Sequence, residues 1–132
     1  MQVESCGDPR ARSDAGARGL FQVMPFHFGQ GEDPYDPETN ARRGLNYLTE
    51  ASVLAQGDIG LAAAGYNGGH SVIGLPEYRW APETVRFRNW VVGIYYDATS
   101  GAESYPTLQA WLEAGGSSLC QTAARRLASQ LP

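Results

Sequence analysis

Residues 36 to 69 constrain the fold more than any other stretch. Asp36-Pro37 is a helix start. An Asp side chain accepts from the exposed amides of a first turn, and proline suits the first helical position. From there Ala41, Leu45, Leu48, Ala51 or Ser52, and Ala55 return at helical spacing, which predicts one apolar face. Gly57 stops this helix, and Asp58 caps a second one from Ile59 to about Tyr66. That second piece is small and apolar on most sides, a composition that suits a buried helix. Asn67-Gly68-Gly69-His70 breaks it.

The flanking segments extend the pattern. Gly7 to Gly19 is turn-rich. Gly19 to Met24 is a short apolar piece that Pro25 stops, read as one or two helical turns. Phe26 to Pro34 and Gly74 to Ala81 read as loops. Pro82 starts a third long helix to about Ala98, with Phe87, Val91, Ile94 and Tyr95 on one face. Thr99-Ser100-Gly101 is a linker. Tyr105 to Ala114 and Ser117 to Leu131 are two short helices split by Gly115-Gly116, with Leu108, Trp111 and Leu112 packing back on the body. No period-2 alternation is present, so the expected class is all-α. At 132 residues the length predicts one folding body, taken as residues 1–98 with a helical extension over 99–132 packed on it.

Charge excludes some functions. Ten Lys+Arg against fourteen Asp+Glu give a net charge of −4, without the basic footprint of a general nucleic-acid binder. Arg10, Arg12, Arg18, Arg42 and Arg43 do gather in the first third, where they can face an anionic polymer or simply water. No run is long and apolar enough to span a bilayer, and Met1-Gln2-Val3-Glu4 does not open a signal peptide. Cys6 and Cys120, near the two ends, fit either a disulfide or two buried thiols. Those cysteines with His27 and His70 have no metal-binding spacing, and no cofactor motif is present.

One carboxylate stands out by its company. Donating a proton to a leaving oxygen at neutral pH requires an acid whose surroundings raise its pKa. Glu4 follows Val3 and precedes small residues and a turn; alone it reads as a solvated terminal residue. Four blocks change its weight. They are Glu4-Ser5; Ser13-x-x-Gly16-Ala17-x-Gly19-Leu20-Phe21-Gln22-x-Met24-Pro25; Leu61-Ala62-Ala63-Ala64-Gly65-Tyr66-Asn67-Gly68-Gly69; and Pro82-Glu83-Thr84-x-x-Phe87. Over about residues 1 to 95 their order and spacing resemble the catalytic domain of the SLT-type lytic transglycosylases. These are lysozyme-like enzymes that cut bacterial peptidoglycan.

The resemblance implies a fold, a reaction and a site. Most glycosidases use two carboxylates, whereas this family needs one. Glu4 would be general acid and then general base. The substrate's N-acetyl group would stabilise the developing cation, and its C6 hydroxyl would replace water, leaving a 1,6-anhydro ring. Ser5 belongs to the matched Glu-Ser pair and joins the substrate-binding group. Ser13 and Gln22 would hydrogen-bond the acetamido groups and the reacting region. Met24 would pack against a sugar ring, and Tyr66 and Asn67 would line the cleft. Phe87 departs from the pattern, because the family places a tyrosine there. Trp80, Trp90 and Trp111 can stack on sugars, though packing suits each better.

The resemblance further implies a monomer that needs no cofactor, takes peptidoglycan strands as its partner and works after export. Export favours the Cys6–Cys120 bridge. The Glu4 helix reads as shortened relative to the family, so the chain is expected to be truncated upstream. A hydrolytic muramidase of the goose-lysozyme kind and a glycan-binding module without turnover are the alternatives.

Overall fold

Cap chemistry sets where the long helices begin. The Asp36 carboxylate accepts from the Thr39 amide at 2.9 Å and opens α2 (Pro37–Leu54). Asp58 accepts from the Leu61 amide at 2.7 Å and opens α3 (Ile59–Gly68). The computed structural model describes residues 1–101 and 103–129. Its other helices are α1 (Gln2–Ser5), α4 (Pro82–Thr99), α5 (Pro106–Trp111) and α6 (Ser117–Ala128). Tight turns occupy Pro25–His27, His70–Gly74 and Glu77–Arg79, and a kinked turn at Leu112–Gly116 joins α5 to α6. Among the described residues there is no strand, only isolated bridges between Arg12 and Arg18 and between Arg18 and Val23. The fold is all-α, as capping and periodicity predict. The last residue of the expected tail helix, Leu131, lies outside the described residues.

The chain forms two compact units, residues 46–111 and residues 1–45 with 112–132. The 46–111 unit is built on small side chains. Ala51, Ala55 and Ala62 are its buried core, with Leu61 and Ile73 packed against them. Close approach replaces bulk here. A Cβ added at Gly65 would lie 2.6 Å from Ile73 Cδ1, so any larger residue there would require the Ile73 side chain to shift. Trp80 is buried, and its indole Nε1 donates to the Val72 and Leu75 carbonyls at 3.0 and 3.1 Å. That ring is a staple for the loop before α4, in keeping with packing over sugar stacking. Trp111 is buried at the end of α5.

The unit of residues 1–45 and 112–132 is held by specific polar and covalent links. Asn40, only 1% exposed, sits in the first turns of α2. It accepts from the Phe21 amide at 2.8 Å and donates to the Arg18 and Pro34 carbonyls at 2.7 and 2.8 Å. Glu32 takes Arg42 and Arg43 of α2 at 2.9 and 2.8 Å. Cys6 and Cys120 are joined as a disulfide, with Cα atoms 5.0 Å apart. The buried Asp8 takes Arg126 of α6 at 2.8 Å. The last helix is thereby fastened to the first residues of the chain.

Two sequence expectations are corrected. The inward face of α2 is not the leucine face: Leu45 is 50% and Leu48 37% exposed. Ala51 and Ala55 of the predicted face are buried, and Asn40 and Gly44 are buried with them in place of the leucines. Small residues admit close neighbours, and the Asn40 amide is buried because it satisfies three backbone groups there. The Gly19–Met24 segment is also not helical. Gly19 and Gln22 have φ of 74° and 49°, which a right-handed helix excludes, and Val23 is in an extended bridge.

Candidate active site

The predicted residues fall into two sets, one in each unit. In the first, Glu4 and Ser5 share the single turn of α1. Cys6 ends that turn in the left-handed region with φ 50°, and its amide bonds the Gln2 carbonyl at 3.0 Å. A non-glycine residue there costs free energy that its surroundings must offset. The disulfide anchors the same residue. Glu4 is half-buried, and its charge opposes the lowering of the Met1 ammonium pKa that burial causes. Ser5 is 0% exposed. Its hydroxyl donates to the Leu20 carbonyl at 2.8 Å and accepts from the Gly7 amide at 3.2 Å. Ser5 therefore has no surface to offer a ligand; it ties the Glu4 turn to the Gly19–Gln22 loop.

That loop is fixed from several sides. Arg18 and Val23 exchange backbone hydrogen bonds, each 3.0 Å long, and Asn40 holds the loop from α2. Glycine is required at position 19, where φ is positive and an added Cβ would lie 2.8 Å from the Pro34 carbonyl oxygen. Gln22 is held in a sparsely populated conformation, φ 49°, with Nε2 donating to the Gly19 carbonyl at 2.9 Å. This bond uses the amide's donor end and leaves the carbonyl oxygen out of it. Ser13 opens a tight turn: its hydroxyl accepts from the Ala17 amide at 3.0 Å, which leaves its own hydrogen to donate. Met24 is half-buried just before the Pro25–His27 turn.

The second set is aromatic. Tyr66 and Phe87 are stacked, with centroids 6.3 Å apart and planes 13° from parallel. Tyr47 flanks Tyr66 at 5.7 Å and stacks on His70 at 4.0 Å. Burial pushes the Tyr47 phenol pKa up. The Asn67 side-chain carbonyl accepts from the Thr84 hydroxyl at 2.9 Å, and Thr84 is buried. The α3 terminus is thus bonded to the start of α4. At the end of the Glu83-Thr84-x-x-Phe87 block the stacked ring is a phenylalanine, which carries no hydroxyl.

Sequence reasoning missed Asn40, the bond from Thr84 to Asn67 and the Asp8–Arg126 pair. Asn40 carried one signal, a polar residue in register with Ala51 and Ala55, but the leucines at Leu45 and Leu48 pointed to another face. Among the described residues no group of three or more His, Cys, Asp or Glu could hold a metal ion.

Comparison with known proteins decides the family. The model of the transglycosylase SLT domain matches residues 1–77, more than half of the chain. The chain belongs to the transglycosylase SLT domain family. A relative named "Transglycosylase", from Enterobacteria phage PRD1, is 38% identical over 71 residues, covering 52% of this chain and 26% of the relative. The chain therefore spans about a quarter of that relative's length. No solved structure matches it significantly. Family membership makes residues 1–77 a transglycosylase SLT domain. No helix among the described residues is long and apolar enough to cross a membrane.

Proposed function

We propose that this SLT domain cleaves the β-1,4 bond between N-acetylmuramic acid and N-acetylglucosamine in peptidoglycan, leaving 1,6-anhydromuramoyl ends. Glu4 protonates the glycosidic oxygen as the bond breaks. The substrate's N-acetyl group stabilises the cation that develops at C1. The C6 hydroxyl then bonds to C1, and the Glu4 carboxylate takes its proton. The acid is regenerated, no water is consumed and no cofactor is needed. A single placed acid can serve both steps only if it is rigidly held. The observation that carries this reading is the anchoring of the Glu4 turn within the matched region, through the Ser5–Leu20 bond and the Asn40-pinned loop.

Each site residue receives a role. Ser5 is a positioning residue. Ser13 donates and Gln22 accepts hydrogen bonds at the acetamido groups, and Met24 packs against a sugar ring. Tyr66 and Asn67 line the glycan path. Phe87 contributes its ring, and the phenol of that stacked pair is Tyr66's. The catalytic domain is taken as residues 1–98, with 99–132 as an extension fastened through Cys120 and Arg126. Because the substrate lies outside the cytoplasmic membrane, the enzyme acts there, as a monomer.

Digestion of purified peptidoglycan, with products read by mass spectrometry, tests the reaction. Muropeptides ending in a 1,6-anhydro ring are expected. Reducing ends that have gained water would make the enzyme a hydrolytic muramidase. The hydroxyl lost at Phe87 favours a second reading, a binding module that does not turn over. Retention of the chain on intact peptidoglycan with no soluble product would support it.

A further inference from the structure

Among the described residues, ion pairing sorts the arginines of the first third into two groups. Arg42 and Arg43 share the carboxylate of Glu32. Asp8 takes Arg126, and Glu77 takes Arg88. Arg10, Arg12 and Arg18 meet no carboxylate among the described residues, and of these Arg12 and Arg18 are bridged to each other; Asp14, between them in the chain, pairs with neither.

These two arginines are held side by side. They form an antiparallel bridge, with Ser13 N bonded to the Ala17 carbonyl at 3.0 Å and Gly19 N to the Ala11 carbonyl at 2.8 Å. Those bonds flank the Arg12/Arg18 pair, which makes it a non-hydrogen-bonded pair, the register in which opposed side chains come closest. Like charges directly opposite each other are destabilising. The Arg18 backbone is locked on its other side by Val23 and at its carbonyl by Asn40, so repulsion cannot be relieved by moving the chain.

The Arg18 side chain carries a second sign. Its guanidinium carbon lies 6.0 Å from the Tyr35 ring centroid, and its Nε is buried with no hydrogen-bond partner among the described residues. A buried donor without an acceptor calls for an explanation. The group is held by packing rather than by a counter-charge. Its Nη donors bond no described residue.

We propose that Arg12 and Arg18 form a binding site for a carboxylate of the peptide stems borne by the glycan substrate. A planar guanidinium presents paired donors that match a carboxylate. An anion between two opposed cations removes their repulsion. The site flanks the turn of Ser13 and lies in the loop that carries Gln22, so a stem held there fixes the glycan's register. This inference rests on the glycan reading above and names what that substrate must carry.

The test compares the wild type with Arg12→Gln/Arg18→Gln on two substrates, intact peptidoglycan and glycan strands freed of peptide by an amidase. The expected result is a KM raised about tenfold for the variant on intact peptidoglycan, with kcat within about twofold and no change on peptide-free strands. Equal losses on both substrates, or none on either, would overturn it. The variant's Tm should equal or exceed the wild type's, since a repulsion is removed; a fall in Tm sends the comparison to Arg18→Lys and to Arg12→Gln alone. If the wild type cleaves neither substrate, calorimetry with a free acidic stem tetrapeptide decides separately. Binding by the wild type that weakens about tenfold in the variant upholds the site, and absence of binding refutes it.

Discussion

Asn40 gathers more backbone than any other described side chain. One amide takes the Phe21 N–H, within the Gly19–Gln22 turn, and serves the carbonyls of Arg18 before that turn and Pro34 beyond it. Removing it takes the partner from the Phe21 N–H and the Pro34 carbonyl, while the Arg18 carbonyl keeps its bond from the Val23 amide. Each orphaned group costs about 1–3 kcal/mol before relaxation. Asn40→Ala is therefore expected to lose about 2–4 kcal/mol of stability in urea denaturation. A loss under about 1 kcal/mol would mean the loop holds itself. Such a residue is hard to read from sequence, because nothing local tells a buried asparagine from an exposed one. Glu4, Ser13, Gln22, Tyr66 and Asn67 can be proposed as site residues only because their spacing follows a family pattern. Ser5 was legible as a position but not as a role, since its burial depends on Leu20, fifteen residues away.

Elements were legible where chemistry is local. The Asp36 and Asp58 caps, Pro82 and the glycines after α2 mark helix ends through contacts within a few residues. Facing is a tertiary property, and the leucines of α2 misled for that reason. The Gly19–Met24 piece was misread because so short a run, apolar or small but for Gln22, fits a turn of helix or a bent loop equally well; Asn40, far along the chain, holds it as a loop. The Glu32 clamp is likewise non-local, joining the loop to α2. Hydrogen bonds from Arg43 first, then from the Gly29 amide, hold the Glu32 carboxyl at about 2 against an ordinary value of 4.5. A depressed folded-state pKa stabilises fully above the unfolded value and is lost as pH falls through the folded one. The Glu32 contribution should thus be complete above about pH 4.5 and vanish towards pH 2. In urea titrations across that window, Glu32→Gln should show a shallower fall in stability than the wild type. Parallel curves would show that the clamp adds nothing.

At the scale of the whole molecule, the Cys6–Cys120 disulfide spans a sequence separation of 114, nearly the full chain. A crosslink so wide acts mainly on the unfolded ensemble. In the chain-entropy model closing such a loop contributes about 5 kcal/mol. Cys120→Ser should lower stability by up to about that amount under oxidising conditions. A reductant should lower the wild type to the same level and leave the variant unmoved. Equal stability of all forms would place the tail's attachment on the Asp8–Arg126 pair instead. The same crosslink fixes Cys6, the residue that ends the Glu4 turn, so it couples global stability to the proposed acid. That coupling makes Glu4 the point at which the account is most exposed. The decisive measurement is the rate of soluble muropeptide release from purified peptidoglycan by the wild type and by Glu4→Gln, whose folding is checked by Tm. The account predicts anhydro-ended products from the wild type and a rate lower by about 10²–10⁴-fold in the variant at unchanged Tm. A folded Glu4→Gln protein that works within a few-fold of the wild type would contradict it.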